Sequence, residues 1–438
     1  YDGATHLNDI KLIKPLFRAE KPFCLLASVG HWIDVGGNVP GNYNPIATDI
    51  MQEGVRIPAV KLFDRGRMNQ DVVDILLANT RLPQWCYGDF NAQLGALDLG
   101  ERRMIELLDD YGDDYIAEAI ANIQARSAQQ MRDLIAALPD GTYSFEDHID
   151  NDGLTEAPLK VALDLTIRNE EMTLDFSRSA PACAGPMNVA RGTTIAACFV
   201  ALKHVFPEVP ANAGCMEPIE FVIPDNSILS AEAPKPVSGY TENIMRSIDV
   251  VFGAIAEIAP ERANGASFST VNVVLMSGRR DDGSDFIFFT FFGGGLGANP
   301  EGDGLSHGNA PIGMATMPPV EILEAAYPVR FTNWGLRCDS GGAGRYRGGL
   351  GAIYEIELLA ETAKLVAFGE RAVFPAFGVL GGSAGAPNCL IYDQADGPMT
   401  PSLGTKLPAV QLTKGQRIRL ERPGGGGYGQ VVERTLND

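Results

Sequence analysis

Apolar and polar positions alternate in two short runs near the start of the chain, and this pattern predicts a β-hairpin. Residues 10–17 and 22–29 form the two predicted strands, and the charged segment 18–21 forms the turn between them. A run with helical spacing follows Asn69, and one longer helical stretch is predicted from about Asp89 to Leu138. The amino-terminal third of the chain is therefore expected to combine a hairpin with helices.

The pattern changes after residue 150. Residues 159–167 and 170–176 alternate as two strands, and apolar side chains at helical spacing fill one face of a helix from Thr241 to Ile258. Beyond about residue 320, short β-like pieces are separated by Gly and Pro. The predicted fold class is α+β: a mixed, multi-lobed chain with an amino-terminal hairpin and helices and a β-rich carboxyl-terminal region. The predicted regions are 1–150, 151–320 and 321–438.

The composition limits the classes of function. The 438 residues carry a formal net charge of -20, which argues against nucleic acid, because a protein that neutralises phosphates must collect Lys and Arg on one face. No apolar run reaches the roughly 18 to 20 residues that a membrane-spanning helix needs, and no signal-peptide pattern opens the chain. The seven cysteines are scattered, without a CxxC pair, which favours reduced thiols. We expect a soluble, cytoplasmic protein.

Three glycine-rich segments occur at 293–297, 341–351 and 423–429. The first follows a strand-like segment, as a dinucleotide-binding loop would, but Asn299 and Pro300 cannot open the helix whose N-terminus would hold a pyrophosphate. We interpret these segments as sharp turns in which glycine adopts a positive φ. The chain has no GxxxxGK(S/T) loop, so if the reaction needs ATP, another polypeptide must bind it.

Two histidines and a carboxylate near the amino terminus form the main candidate for a chemical site. His6 and Asp9 lie at the start of the first predicted strand, and His31 lies at the end of the second. If the strands pair as a hairpin, the three side chains meet at one edge of the sheet. Such a set suits Zn, Mn or Fe and leaves positions for water or substrate, and Asp34 would orient one imidazole by accepting its N–H. The alternative is ordinary polar surface near strand ends.

A second group of candidate catalytic residues, Glu53, Arg56 and Lys61, falls in a short segment with little helical pattern. These charges could bind an anionic group or move a proton. Surface ion pairs are the alternative interpretation.

The remaining histidines give no support to a Ser-His-Asp hydrolase, because they have no recognisable partners in the sequence. We interpret His148 and His204 as surface or cap residues. His307 lies in a polar, glycine-rich loop, where a functional role stays open.

Several segments together resemble the hydantoinase B family. They are Thr5–Asp9, His31–Gly37, Gln52–Phe63, Asp339–Gly351 and Pro423–Gly429, with Gly185–Asn188 and Pro318–Glu321 as further matches. The family includes N-methylhydantoinase, 5-oxoprolinase, caprolactamase and the corresponding subunits of acetone and acetophenone carboxylases. The resemblance covers essentially the whole chain, and the combination of motifs is specific although each motif alone is weak.

The resemblance implies that the residues matching His6, Asp9 and His31 hold a divalent metal. It also implies a division of labour, in which a hydantoinase A-like partner uses ATP to phosphorylate the amide or enolate oxygen of the substrate and the B-like subunit completes the reaction at the metal. The expected function is hydrolysis of a cyclic amide such as a hydantoin, oxoproline or lactam. ATP-dependent carboxylation of a ketone and a non-catalytic scaffold are the alternatives.

The chain departs from the family pattern in two ways. Family members carry a further segment before the Thr-His motif, which supplies one more carboxylate ligand, and we expect this chain to be part of a longer product or to pair with a separate segment. Many members also have His-His where this chain has His31-Trp32. No family role of the second histidine is therefore carried over.

Overall fold

The computed structural model describes residues 1, 3, 5–309, 311–313 and 317–433, and it confirms the predicted α+β class. The helices are α1 (Gln70–Ala78), α2 (Pro83–Tyr111), α3 (Asp113–Ala136), α4 (Arg191–Val205), α5 (Tyr240–Ile258) and α6 (Val320–Ala326). The strands are β1 (Asp9–Arg18), β2 (Lys21–His31), β3 (Phe63–Asp64), β4 (Arg67–Met68), β5 (Gly141–Ile149), β6 (Leu159–Arg168), β7 (Glu171–Asp175), β8 (Ile219–Val222), β9 (Val273–Arg279), β10 (Asp285–Thr290), β11 (Val329–Leu336), β12 (Ala352–Leu358), β13 (Thr362–Phe368), β14 (Cys389–Gln394), β15 (Gly397–Met399), β16 (Leu407–Thr413) and β17 (Arg417–Glu421). Within these described ranges, no helix combines the length and the apolar character needed to cross a membrane.

Strands β1 and β2 form the predicted antiparallel hairpin. Arg18 pairs with Lys21, and both residues of the turn between them, Ala19 and Glu20, have positive φ values of 45° and 68°. Two-residue hairpin turns of type I′ require this conformation at both positions. The hairpin packs on α2, where side chains around the buried Phe90 form a small hydrophobic core.

The single long helix predicted from about Asp89 to Leu138 is wrong, because the structure divides it into two helices. Helix α2 ends at Tyr111 and α3 begins at Asp113, and Gly112 between them has a φ of 87°. Glycine adopts this left-handed conformation at helix ends because it has no Cβ. The apolar spacing continues across the break, so the periodicity alone did not show it.

The middle of the molecule is a four-stranded sheet covered by helices. Its order is β5-β6-β7-β8, with β7 and β8 parallel and the other pairs antiparallel. The largest hydrophobic core lies between this sheet and helices α4 and α5. The predicted helix from Thr241 to Ile258 is confirmed as α5, and it is buried along nearly its whole length.

The carboxyl-terminal half is built from two further sheets packed face to face. Their orders are β10-β9-β13-β16 and β11-β12-β17-β14-β15, and apolar side chains from both fill the second core. The other face of the first of these sheets belongs to the core around α5. Strands β5 and β6 pair across residue 150, and β9 and β13 pair across residue 320. The division into regions 1–150, 151–320 and 321–438 stays a prediction.

The three glycine-rich segments pack against one another, which corrects their interpretation as sharp turns. Of their glycines, Gly429 alone has a positive φ. The remainder are needed for close approach: a Cβ added to Gly295 would lie 1.9 Å from the carbonyl oxygen of Gly349, and the N–H of Gly425 donates to that same carbonyl oxygen at 3.0 Å. Backbone hydrogen bonds therefore join these segments side by side where no side chain would fit.

Candidate metal centre

The hairpin brings the three predicted ligands together. Asp9 and His31 are direct partners in the pairing of β1 with β2, and His6 lies just before β1. The Nε2 atoms of His6 and His31 are 3.1 Å apart, and Nδ1 of His6 is 3.3 Å from an Asp9 carboxylate oxygen. One ligand atom from each of the three residues lies within 4.8 Å of the other two. Antiparallel pairing thus joins two imidazoles that are 25 positions apart in the sequence.

These distances fit a divalent ion. Two nitrogen donors at roughly 2.0–2.1 Å from one ion, at an angle between roughly 90° and 109°, are roughly 2.8–3.4 Å apart. The separation of 3.1 Å between the Nε2 atoms falls in this interval. Oδ2 of Asp9 faces Thr5 and Nδ1 of His6. Nitrogen donors with one carboxylate suit Zn, Mn or Fe.

The electrostatics keep two of these groups in their ligand form at neutral pH. Burial alone would raise the pKa of Asp9, but the hydrogen bonds and charges of His6, Thr5 and His31 outweigh it and lower that pKa to about 2. Desolvation by the surrounding protein, with a further contribution from the charge of His6, lowers the pKa of His31 to about 4. The charge of Asp9 has a weaker effect in the opposite direction. At pH 7 Asp9 is therefore a carboxylate and His31 a neutral imidazole, the forms that bind metals.

The three residues differ in their access to solvent. His6 is buried, Asp9 is partly buried and His31 is exposed. The cluster therefore reaches solvent at His31.

Aromatic rings from three other segments pack around the two imidazoles. Tyr240, the first residue of α5, stacks on His6 with ring centroids 4.2 Å apart and planes inclined by 21°. The Tyr43 ring lies 5.9 Å from His6 and 6.5 Å from His31, and the Phe289 ring of β10 lies 6.0 Å from His31. Aromatic pairs interact favourably over this range. The sequence analysis missed all three, because no local pattern relates these positions to residues 6–31.

The carboxylate of Asp34 holds the loop after β2, which corrects the prediction that it orients an imidazole. Asp34 is fully buried and accepts hydrogen bonds from the backbone N–H groups of Gly36, Gly41 and Arg81. The guanidinium group of Arg81 adds an ion pair at 2.8 Å. Both oxygens of Asp34 are used in these contacts, so the residue shapes the loop that carries Tyr43.

The candidate catalytic residues of segment 52–63 lie in different environments. Glu53 is buried and accepts hydrogen bonds from the backbone N–H groups of Val237 and Ser238, at 2.9 and 2.8 Å. Burial raises its pKa to about 7 against the opposing effect of these hydrogen bonds. Arg56 and Lys61 are exposed. The contacts described for these three residues do not include His6, Asp9 or His31, which together form the candidate metal trio. The catalytic role of Glu53, Arg56 and Lys61 stays a prediction.

The other histidines lie away from the trio in the fold. His204 is exposed near the end of α4, as expected, and its Nδ1 is 2.8 Å from the carbonyl oxygen of Val200. His148 is half-buried in β5 rather than at the surface, and its ring stacks on Phe374. Nε2 of His307 faces both the indole N–H of Trp334, at 3.2 Å, and the hydroxyl of Tyr354.

Comparison with known proteins agrees with this architecture. The hydantoinase B/oxoprolinase family model matches residues 1–431. Caprolactamase subunit beta of Pseudomonas jessenii is 33% identical over 451 residues, which cover 99% of this chain and 76% of that protein. The crystal structure of the ATP-dependent caprolactamase of the same organism has a TM-score of 0.89 at 32% identity, over 99% of this chain and 76% of that chain.

A nucleotide-free structure of acetone carboxylase shares the fold. Its TM-score is 0.87 at 18% identity, over 99% of this chain and 64% of that chain. Since the family model spans nearly the whole sequence and the motifs around the trio agree with it, this chain belongs to the hydantoinase B/oxoprolinase family.

Proposed function

We propose that this chain is the metal-binding component of an ATP-dependent hydrolase of cyclic amides, such as a hydantoin, oxoproline or a lactam. A hydantoinase A-like partner chain binds the ATP. The observation that carries the proposal is the trio of His6, Asp9 and His31, whose donor atoms lie within 4.8 Å of one another and reach solvent at His31. Membership of the hydantoinase B/oxoprolinase family and the likeness to a caprolactamase subunit support the class of reaction.

The residues of this chain would hold and shape the reacting centre. Nε2 of His6, Nε2 of His31 and the carboxylate of Asp9 would hold the divalent ion, which would supply Lewis acidity and lower the pKa of water. Stacking by Tyr240 fixes the plane of the His6 imidazole. The exposed side of His31 leaves room for substrate.

The need for ATP follows from the chemistry of the substrate. An unstrained amide is a poor electrophile, and phosphorylation of its oxygen creates a good leaving group. This chain has no phosphate-binding loop, so the phosphoryl transfer is assigned to the partner. The isolated chain is therefore expected to hydrolyse no ATP.

The test measures metal content and turnover in the complex with the partner chain. His6→Ala and His31→Ala are compared with His204→Ala, a matched control because His204 is exposed near the end of α4. We expect wild type and the control to bind one divalent ion per chain by elemental analysis and to open a cyclic amide with ATP. The two ligand variants should lose affinity by more than the roughly 10- to 100-fold that loss of an outer hydrogen-bond partner costs.

Four results would contradict the proposal. Unchanged metal content in both ligand variants would place the ion elsewhere. Turnover of ATP and substrate by the purified single chain would remove the need for a partner. A product that forms from a ketone only when bicarbonate is present would establish a carboxylase instead. A complex that binds no metal and needs none for turnover would leave this chain as a non-catalytic scaffold.

A further inference from the structure

Phe289 differs from its neighbours in β10, because its ring keeps solvent-accessible surface. The flanking residues Phe286, Ile287, Phe288 and Thr290 are all buried, whereas Phe289 is partly buried at the edge of the largest core. Isolated exposed apolar side chains are common on protein surfaces. The position of this one is specific, since it faces a candidate metal ligand.

The Phe289 ring lies nearly parallel to two rings of the site. It is 6.0 Å from the His31 ring with planes inclined by 19°, and 5.8 Å from the Tyr43 ring with planes inclined by 23°. Tyr43 is buried, whereas His31 is exposed. The partly exposed Phe289 ring and the exposed His31 ring therefore lie side by side on the open side of the trio.

The rings beside His31 form an apolar surface. The Phe289 ring lies 6.0 Å from the His31 ring and the Tyr43 ring 6.5 Å from it. The hydrocarbon part of a substrate suits such a surface, because its burial removes apolar area from water.

We propose that Phe289 forms the apolar wall that binds the hydrocarbon part of a cyclic amide while its amide group reaches the metal trio. This inference rests on the proposed function and adds a residue that sets the preference for ring size. The affinity should rise with the number of ring methylenes. Each buried methylene corresponds to about 0.8 kcal/mol, which is about 4-fold in affinity.

The test uses three lactams with five-, six- and seven-membered rings: 2-pyrrolidinone, 2-piperidone and ε-caprolactam. Their dissociation constants are measured by calorimetry on the metal-loaded complex with the partner chain, together with KM and kcat. Phe289→Ala is compared with Phe289→Leu, which keeps apolar volume, and with the control Phe17→Ala, whose ring is exposed on the hairpin. Metal content is measured for every variant.

We expect wild type and Phe17→Ala to bind each larger ring roughly 2- to 4-fold more tightly. Phe289→Ala should lose most of this dependence and bind ε-caprolactam about 10-fold more weakly, mainly through KM, with unchanged metal content. Phe289→Leu should retain an intermediate dependence. A merely structural role of Phe289 would weaken all three lactams equally.

The outcomes separate this inference from the proposed function. An unchanged ring-size dependence in Phe289→Ala would overturn the role of Phe289 even if the complex hydrolyses lactams. A complex that binds the lactams with the expected dependence but hydrolyses none would refute the proposed function and still support the Phe289 site.

Discussion

The stacking of Tyr240 on His6 predicts a measurable contribution to metal binding. The two ring centroids are 4.2 Å apart with planes inclined by 21°, and Tyr240 is fixed at the start of α5. An aromatic pair of this kind contributes about 0.5–1.5 kcal/mol beyond the area that it buries. If this energy holds the imidazole in its ligand orientation, Tyr240→Leu should weaken metal affinity by about 2- to 13-fold.

The assay is competition for the ion with a chromophoric chelator, using the full chain. Tyr240→Phe keeps the ring and should bind metal within about 2-fold of wild type, which corresponds to less than the stacking energy. Tyr115→Leu is the matched control, because Tyr115 is exposed and stacks on Tyr111 at the junction of α2 and α3. Equal affinities for Tyr240→Leu and wild type would refute the reasoning, and so would an equal loss in Tyr240→Phe.

Two further predictions concern the buried charges around α5. Arg371 is fully buried, and its guanidinium contacts Asp147, at 2.8 Å, and Asp249. Removing one partner of a buried ion pair costs about 3–5 kcal/mol, so Arg371→Met should lower the free energy of unfolding by that amount in a denaturant titration. The control Arg103→Met, at an exposed position, should change it by less than about 1 kcal/mol. Burial, with the charge of Glu370, raises the pKa of Glu242 to about 7. This folded-state pKa lies above the unfolded value, so the stability that Glu242 contributes is present at low pH and is lost as the pH rises through about 7. Relative to wild type, the free energy of unfolding of Glu242→Gln should therefore rise between pH 5 and pH 8. If the difference between the two proteins stays constant over this range, the raised pKa of Glu242 is contradicted.

Local sequence patterns determined the elements that depend on neighbouring residues. The hairpin follows from two apolar runs around a charged turn, and pairing of its ends is enough to place His6 and Asp9 beside His31. Helix α5 follows from apolar positions at helical spacing. These features are readable because the interactions that create them lie within a few turns or one tight connection.

The glycine-rich segments are structurally special, as the sequence predicts, but for a different physical reason. The sequence interpretation attributes the glycines of segments 293–297, 341–351 and 423–429 to turns that require a positive φ. The structure shows close packing between segments instead, as at Gly295 against Gly349. Gly112 is the reverse case, since its positive φ ends α2 and no change in apolar spacing marks it.

The tertiary structure alone decided the surroundings of the metal trio. The sequence by itself determined the class of fold, the hairpin and the candidate ligands. Tyr43, Tyr240 and Phe289 come from a loop, a helix start and a strand that are far apart along the chain, and only the packing of the sheets around α5 brings them to His6 and His31. The carboxylate of Asp34 likewise lies beside an imidazole in sequence but is bound by Arg81 in space. The spacing of apolar residues predicts which face of a helix or strand is buried. Which other element packs on that face depends on contacts between distant parts of the chain, and no local pattern encodes these contacts.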